Sequence, residues 1–258
     1  MLKITSWNVN GIRAAERKGL IDYMNAEQPD ILCLQETKAQ PDQIPDTLKN
    51  VKGYKPYFFS GEKKGYSGVA IYTKEEPKEV HYGCGVDKFD CEGRVLRADF
   101  EDFILYNIYY PNGGRGPERV EYKLEFYEMI LAQWQELRGN RKKLILTGDF
   151  NTAHYEIDLA RPDENKKTTG FLPIERAWLD KVEALGYVDA FRVFNREPEW
   201  YSYWDQITRA RERNVGWRID YFLVTPDVMP NVAAAPIKME VMGSDHCPIE
   251  LHLDYTKK

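Results

Sequence analysis

Short apolar runs that end on polar side chains recur along the chain. In one of them, residues 144–146, the run Leu-Ile-Leu passes through Thr147 and Gly148 to Asp149 and Asn151. Continuous apolar runs are typical of strands buried on both faces, and ligands in open α/β sheets lie at the carboxyl ends of strands. In an extended chain Asp149 and Asn151 would share a face. A lone GDFN segment would more often be a plain turn.

The same pattern occurs at three other places. The shared feature is a polar side chain at the end of an apolar run or inside it: Asn8 and Asn10 follow residues 2–7, Gln35 and Glu36 follow 31–34, and Asp220 lies within 217–224. Because ligands gather at strand ends, the repetition favours one assembled site over four unrelated turns.

Helical periodicity is clearest over residues 117–138, which begin with Pro117 and end before Gly139. Apolar residues recur there at spacings of three and four, which predicts a buried face made of Val120, Leu124, Tyr127, Leu131, Trp134 and Leu137. A second helix is predicted from Pro173 to Leu185, with a buried face of Ile174, Trp178, Val182 and Leu185. Both helices are interpreted as packing against the core without chemistry of their own.

The remaining pattern adds one helix and several strands. Residues 11–28 predict a helix that must end before Pro29. Strands are predicted at about 30–35, 57–59, 68–72, 94–99 and 103–109, and strand-like segments at 238–241 and 249–253. The order strand, helix, strand appears where the helix over 117–138 leads into residues 144–149.

Two long segments, residues 151–172 and 195–218, are polar and lack periodicity. Loops longer than about 12 to 15 residues in a compact domain are commonly functional or disordered. Aromatic residues in the second segment favour function. No linker-like or low-complexity stretch interrupts the chain, so residues 1–258 are predicted to form one domain.

The composition, 43% hydrophobic and 30% charged, is typical of a globular protein. No run approaches the ~18 apolar residues of a membrane span, and no signal-peptide pattern is present. We expect no membrane association and a cytoplasmic location, on the nucleoid if the source is prokaryotic. The four cysteines form no CxxC pair, which favours reduced buried thiols. The net charge of −5 argues mildly against nonspecific coating of nucleic acid, although a local basic face can bind a polyanion.

A further polar cluster, GSDHCP, places Asp245 beside His246. A lone histidine is more often structural, but the adjacent carboxylate favours function here. The candidate residues together offer carboxylate and amide oxygens with one imidazole: Asn8, Asn10, Glu36, Asp149, Asn151, Asp220, Asp245 and His246. This donor set suits Mg²⁺ or Mn²⁺ better than zinc. Such a site suits phosphoryl chemistry, in which the metal offsets phosphate charge and a base orients water.

Eleven short motifs occur in order over essentially the whole chain: WNVNG, PDILCLQETK, GYSGVAIY, EGRV, YYPNGGRG, GDFNTAH, IDL, GFLP, ER, NVGWRIDYF and GSDHCPI. Each is weak alone, but together they resemble the exonuclease III family of apurinic/apyrimidinic (AP) endonucleases. The resemblance implies an α/β fold, a four-layer sandwich of two β-sheets face to face with helices outside. This is the DNase I-like, or endonuclease/exonuclease/phosphatase, fold.

The resemblance also implies Mg²⁺-dependent hydrolysis of the DNA backbone on the 5′ side of an abasic site, leaving a 3′-hydroxyl. We expect 3′→5′ exonuclease and 3′-phosphatase or phosphodiesterase activity beside it, with Mn²⁺ as a substitute ion. The implied partner is double-stranded DNA with abasic or 3′-blocked lesions. The working form is expected to be a monomer.

Residue roles follow from the same resemblance. Glu36 would hold the metal with help from Asn8, while Asp149 would orient or deprotonate the attacking water. Asp220 would fix the tautomer of His246, which would bond to a phosphate oxygen. Tyr109 and Asn112 would contact the scissile phosphate, and Asn151 would steady the water or the transition state. The metal site is expected among Asn8, Glu36, Asp149, Asn151, Asp245 and His246.

DNA contacts are also implied. Phosphates would be contacted by Tyr66, Arg94, Arg115, Lys166, Arg209, Arg211, Arg213 and Arg218. An extruded abasic sugar would meet Tyr203, Trp204 and Trp217, which would line its pocket or wedge the helix open. For an arginine outside the motifs, a solvated surface charge is equally expected.

The chain departs from the family pattern at two places, and two alternative functions stay open. Asn10 stands where some relatives carry Asp, and residues 205–210 differ from animal members, so the wedge residue is undetermined. A phosphatase of the same fold acting on a non-DNA substrate would be expected to lack NVGWR and YPNGGRG. A DNA-binding protein without catalysis would be expected to have lost Glu36, Asp149 or His246.

Overall fold

The computed structural model describes residues 1–255, whose strands form two six-stranded sheets. The strands in chain order are β1 Leu2–Asn8, β2 Ile31–Gln35, β3 Lys55–Phe59, β4 Val69–Thr73, β5 Glu79–Tyr82, β6 Val95–Asp99, β7 Ile104–Tyr109, β8 Leu144–Asp149, β9 Val188–Asp189, β10 Asp220–Val224, β11 Val232–Ala234 and β12 Ile249–Leu253. The strands β2, β4, β7, β8 and β10 are buried along their whole length, as continuous apolar runs predict.

Eight α-helices lie in the same range: α1 Ile12–Arg17, α2 Leu20–Glu27, α3 Asp46–Lys49, α4 Asp87–Asp90, α5 Pro117–Gly139, α6 Pro162–Asn165, α7 Pro173–Ala184 and α8 Ala190–Phe194. Pro117 and Pro173 begin the two long helices, where a missing N–H costs no intrahelical hydrogen bond. Within residues 1–255, no helix is long and apolar enough to cross a membrane.

The two sheets repeat one strand pattern. The first has the order β11-β12-β1-β2-β4-β3, and the second has the order β9-β10-β8-β7-β6-β5. Each contains one parallel pair, β1 with β2 and β7 with β8, and its other neighbours are antiparallel. The strands β1 and β8 therefore hold equivalent positions, and the similar sequences SWNVN and TGDFN mark their ends.

Three apolar clusters separate four layers. The largest lies between the sheets and includes Leu105 and Leu251. A second packs the outer face of one sheet against α5 and α7 through Trp134 and Trp178, and a third packs the other sheet against α1 and α2 through residues such as Met24. The predicted four-layer α/β sandwich is confirmed.

The two long helices bury several of the predicted residues, among them Trp134 and Trp178, but each face also differs from the prediction. In α5 the buried face includes Lys123 with Tyr127, while Val120 is only half-buried. In α7 Glu175 is fully buried, whereas Ile174 is 57% exposed. Lys123 and Glu175 pair with each other. A charged residue with a buried partner therefore replaces an apolar residue at the helix interface.

Two other local predictions are wrong. Residues 11–28 form two helices because Gly19, with φ of +96°, interrupts the helical backbone between α1 and α2. The segment 238–241 is a turn and not a strand, and the side chain of Arg211 donates to the carbonyl oxygens of Met239 and Val241. Arg211 is half-buried, and these two hydrogen bonds hold one of its Nη atoms against the protein.

Candidate active site

The ends of β1 and β8 form the same turn. The backbone N–H of Asn10 donates to Oδ1 of Asn8 at 3.0 Å, and that of Asn151 donates to Oδ1 of Asp149 at 2.8 Å. Asn10 and Asn151 adopt left-handed φ angles of 47° and 53°, which asparagine tolerates better than most residues. The chain therefore turns after Asp149 instead of extending as predicted. The turn directs Asn8 and Asp149 toward each other.

Asn8 links two carboxylates of the site. Its Nδ2 donates to Oε1 of Glu36 and to Oδ2 of Asp149, both at 2.9 Å. Because Asn8 presents its nitrogen, its orientation differs from that of the predicted oxygen ligand. It is a buried donor that holds the two carboxylates in place.

His246 is held by Asp220. Nδ1 of His246 lies 2.8 Å from Oδ2 of Asp220, and Oγ of Ser202 donates to that same oxygen at 2.6 Å. Nε2 of His246 lies 3.8 Å from Oδ2 of Asp149. A carboxylate at Nδ1 fixes the proton there and leaves Nε2 directed toward Asp149 and the cleft. The predicted role of Asp220 in fixing the His246 tautomer rests on this contact.

Burial and neighbouring charges shift the pKa of three groups. Burial, supported by Asp220 and Glu36 and opposed by His246, raises the pKa of Asp149 to about 7. Burial would lower the pKa of His246, but Asp220 and Asp149 raise it to about 10. Burial would raise the pKa of Glu36, but Lys38 and Asn8 outweigh it and the pKa is lowered. Near neutral pH, Glu36 is ionised, His246 is protonated and Asp149 is suited to proton transfer.

Tyr109 rests on Arg94. The guanidinium of Arg94 lies 4.7 Å from the centre of the Tyr109 ring, and its Nη1 donates to the Tyr109 carbonyl oxygen at 2.9 Å. Burial and the charge of Glu36 raise the pKa of Tyr109 well above its ordinary value, so its hydroxyl is a neutral donor. Arg94 is 1% exposed and also bonds to Glu92 and Tyr66. Since Arg94 is buried and donates to groups of the protein, the structure gives no support to its predicted contact with a DNA phosphate.

A cleft of about 430 Å³ lies at the ends of the two sheets. Most of the predicted catalytic and metal-binding residues line it: Asn10, Glu36, Tyr109, Asn112, Asp149, Asn151, Asp245 and His246. Asn8 and Asp220 lie behind this surface and bond to its members. Asn112 donates to Oδ1 of Asn151, and Oδ2 of Asp245 accepts from Nδ2 of Asn10, each at 2.9 Å. The structure thus brings the predicted groups together, with Asp245 directed at Asn10.

The donor set fits a hard divalent cation. Ligand atoms of Asp149, Asp220 and His246 lie within 4.8 Å of one another, and Glu36 is joined to Asp149 through Asn8. In addition, Oδ1 of Asp220 is buried without a hydrogen-bond partner among residues 1–255. Carboxylate oxygens dominate this set, which is the preference of Mg²⁺ and Mn²⁺. The site is therefore a candidate metal centre.

Two further residues predicted to contact DNA are buried. Arg218 is 0% exposed, and its Nε donates to Oδ1 of Asp158 at 2.8 Å. Trp204 is 2% exposed and donates from Nε1 to Oδ1 of Asn214. Because both side chains are buried, the surface of this structure offers neither of them to DNA, and their predicted contacts gain no support from it. Each side chain has a partner inside the protein and supports the cleft from behind.

The other predicted DNA contacts lie at the surface or in the cleft wall. Those exposed are Arg115, Lys166, Arg209 and Arg213; those half-buried are Tyr66, Tyr203 and Trp217. Tyr203 and Trp217 line the cleft. On the neighbouring loop Ile207 is 94% exposed, the highest value among the large hydrophobic side chains of residues 1–255. Ile207 is a candidate for the wedge residue that the sequence left undetermined.

Several groups that shape the cleft were missed. Nζ of Lys38 lies 2.6 Å from Oε2 of Glu36, Ser202 bonds to Asp220, and Thr169 lines the wall. Lys38 follows Glu36 by two residues in the QETK motif, so its place beside Glu36 could have been predicted from that motif. Ser202 and Thr169 have no local pattern that marks them, because only the tertiary fold brings them to the site.

Comparison with known proteins identifies relatives along the whole chain. A model of the Endonuclease/Exonuclease/phosphatase family matches residues 5–246. The exodeoxyribonuclease of Bacillus subtilis (strain 168) is 44% identical over 252 residues, which cover 97% of this chain and 98% of that one. The DNA repair nuclease APEX1 of Danio rerio is 42% identical over 255 residues, which cover 98% of this chain and 82% of that one.

Solved structures agree with the sequence relatives. The structure of an AP endonuclease from Archaeoglobus fulgidus has a TM-score of 0.88 at 33% identity, covering 98% of this chain and 100% of that chain. The structure of the 3′ phosphatase NExo from Neisseria bound to a product DNA hairpin has a TM-score of 0.90 at 29% identity, covering 99% and 100%. The chain therefore belongs to the Endonuclease/Exonuclease/phosphatase family, as its motifs predicted, and is similar within it to exodeoxyribonucleases and AP endonucleases.

Proposed function

We propose that this chain is a Mg²⁺-dependent DNA repair nuclease that hydrolyses the backbone on the 5′ side of an abasic site. Its 3′→5′ exonuclease and 3′-phosphatase or phosphodiesterase activities would use the same cleft, with Mn²⁺ as a substitute ion. One observation carries the proposal: Glu36, Asp149 and His246, far apart in sequence, meet in one cleft. The broader assignment, a hydrolytic nuclease of DNA repair, follows from relatives named exodeoxyribonuclease and DNA repair nuclease, which match 97% and 98% of this chain.

Glu36 and Asp149 are the residues proposed to hold the metal. Asn8 donates to both carboxylates, which keeps them side by side. When bound, Mg²⁺ would offset the negative charge on the scissile phosphate. Lys38 adds positive charge at the rim beside Glu36.

Asp149 is placed to take the proton of the attacking water. It lies at the cleft, and Nδ2 of Asn151, 3.4 Å from Oδ2 of Asp149, would bond to the same water. Protonated His246 would donate from Nε2 to a phosphate oxygen, and Tyr109 would donate its neutral hydroxyl to another. As the water oxygen bonds to phosphorus, the bond to the 3′ oxygen breaks and a 3′-hydroxyl forms.

The proposed substrate is double-stranded DNA with an abasic or 3′-blocked lesion. Exposed Arg115 and Lys166 would contact phosphates, which position a duplex without reading its sequence. Exposed Ile207 would enter the helix beside the lesion, and Trp217 would face the extruded sugar. A monomer is proposed to be the active form.

A panel of end-labelled duplexes tests the proposal. With Mg²⁺, purified protein should nick a duplex that carries a tetrahydrofuran abasic analogue, leave the matched intact duplex uncut, and lose activity in EDTA. Duplexes with a uracil, a 3′-phosphate or a recessed end measure the balance of activities. Uncut duplexes together with release of phosphate from a non-DNA ester would favour the phosphatase alternative. Tight binding without cutting of any substrate would favour the non-catalytic one.

A further inference from the structure

A fully buried ion pair joins α5 to α7 behind the cleft. Nζ of Lys123 lies 2.7 Å from Oε1 of Glu175, and both side chains are 0% exposed. Desolvation makes such a pair costly, and apolar residues of similar volume often stabilise a fold equally well. Stability alone therefore does not explain why two charges lie between these helices. The groups to which the two side chains hydrogen-bond suggest a reason.

Lys123 holds the turn that follows Asp149. Besides Glu175, Nζ of Lys123 donates to the carbonyl oxygen of Asn151 and to Oγ1 of Thr152, each at 2.7 Å. These contacts use all three ammonium protons. Asn151 has the left-handed φ of 53°, a conformation that asparagine tolerates but that places its carbonyl oxygen beside Lys123. The bond from Lys123 fixes the peptide group after Asn151 and so limits where the Asn151 side chain can point.

Glu175 holds another part of the cleft wall. Its Oε1 accepts from Oγ1 of Thr169 at 2.8 Å, and its Oε2 accepts from the backbone N–H of Gly170 at 2.6 Å. Thr169, Gly170 and Asn151 all line the cleft. The segments approach closely, since a Cβ added to Gly170 would lie 3.1 Å from the carbonyl oxygen of Asn151. The ion pair therefore ties two segments of the wall to one buried point.

We infer that Lys123 and Glu175 are positioning residues for catalysis, which fix Asn151 against the wall formed by Thr169 and Gly170 without touching the substrate. The inference rests on the proposed function, because that function gives Asn151 its role beside Asp149. A merely structural pair would affect stability alone. A positioning pair should affect turnover through Asn151.

The test compares Lys123→Met with a matched control on the same helix, Leu131→Ala. Leu131 is buried on α5 in the core and lies outside the cleft lining. Lys123→Met should lower kcat for nicking the abasic duplex by about 100-fold, the scale of a misplacement near 1 Å. KM should stay within about threefold, because substrate contacts remain. Leu131→Ala should lower the melting temperature but leave kcat near the wild-type value.

A double-mutant cycle separates positioning from general damage. If Lys123 acts through the Asn151 side chain, Lys123→Met should cost less than about threefold in an Asn151→Ala background. Equal fold losses in both backgrounds, or a loss of kcat matched by Leu131→Ala, would overturn the inference. If Lys123→Met does not fold, Glu175→Gln, which keeps an acceptor for Gly170, takes its place in the same cycle. A wild-type protein that nicks no duplex would refute the proposed function and this inference together, whereas an active wild type with additive losses refutes the inference alone.

Discussion

The equivalent strands β1 and β8 end in the same turn but present different chemistry. In each, a left-handed asparagine donates its backbone N–H to the side chain two residues earlier. The end of β8 presents the carboxylate of Asp149, whose pKa burial raises to about 7. The end of β1 presents the amide of Asn8, which donates to that carboxylate at 2.9 Å. The backbone frame is repeated but the acid is not, so in the proposed mechanism one strand end supplies the proton acceptor and the other a neutral support.

The largest effect is expected from Asp149→Asn, which makes the two strand ends chemically alike. The amide has nearly the size of the carboxylate but cannot take a proton from water, so kcat on the abasic duplex should fall by about 1000-fold or more. Duplex affinity, measured without cutting, should change by less than about threefold because phosphate contacts lie elsewhere. An unchanged melting temperature is the control for folding. Full activity in this variant would remove Asp149 from the chemistry.

A smaller loss is expected from Asn8→Asp, which gives both strand ends an acid. The new carboxylate would face Asp149 and Glu36 at hydrogen-bonding distance, where like charges cannot all stay ionised. We expect kcat to fall by about 100-fold, because one acid must take up a proton and the donor of Asn8 is lost. Asn8→Ala is the matched variant, since it removes the donor without adding charge. Its loss should be about tenfold; a loss equal to that of Asn8→Asp would mean that the donor alone matters.

The strand ends could be predicted because their signal is local. An apolar run followed by a polar residue is visible in the sequence at Asn8, Glu36 and Asp149, and strands in one sheet bring their ends together. The resemblance to a family then supplied roles that the pattern alone left open. The shared turn could not be predicted, since alternation implied an extended backbone at Asn151 where φ is 53°.

The charged residues could not be placed from the sequence because their partners are distant. From the sequence, Arg218 is predicted to contact a phosphate. In the fold, Arg218 instead has a buried partner, Asp158, which lies sixty positions earlier in the chain. Likewise, the helical pattern assigns Lys123 and Glu175 to the polar faces of their helices. In the structure they pair with each other and are buried. Burial of a charge depends on a specific partner and not on residue type. This explains why the burial of charged residues could not be foreseen, whereas the polar residues at the strand ends could be placed in one cleft.

The smallest effect is expected from Asn10→Asp, which changes the second residue of the β1 turn. Asn10 is half-buried, donates to Asp245 at 2.9 Å and accepts from Lys38. An aspartate would lose the donor to Asp245 and place a like charge beside it, but it would gain an ion pair with Lys38; at this partly exposed position such interactions contribute only about 0 to 1 kcal/mol. These changes oppose each other, so kcat should stay within about threefold of wild type. The concentration of Mg²⁺ that gives half-maximal activity should shift more than kcat, because a carboxylate is added near Glu36. A loss as large as that of Asn8→Asp would show that the β1 turn is as important to turnover as the β8 turn, and the contrast between the two strand ends would fail.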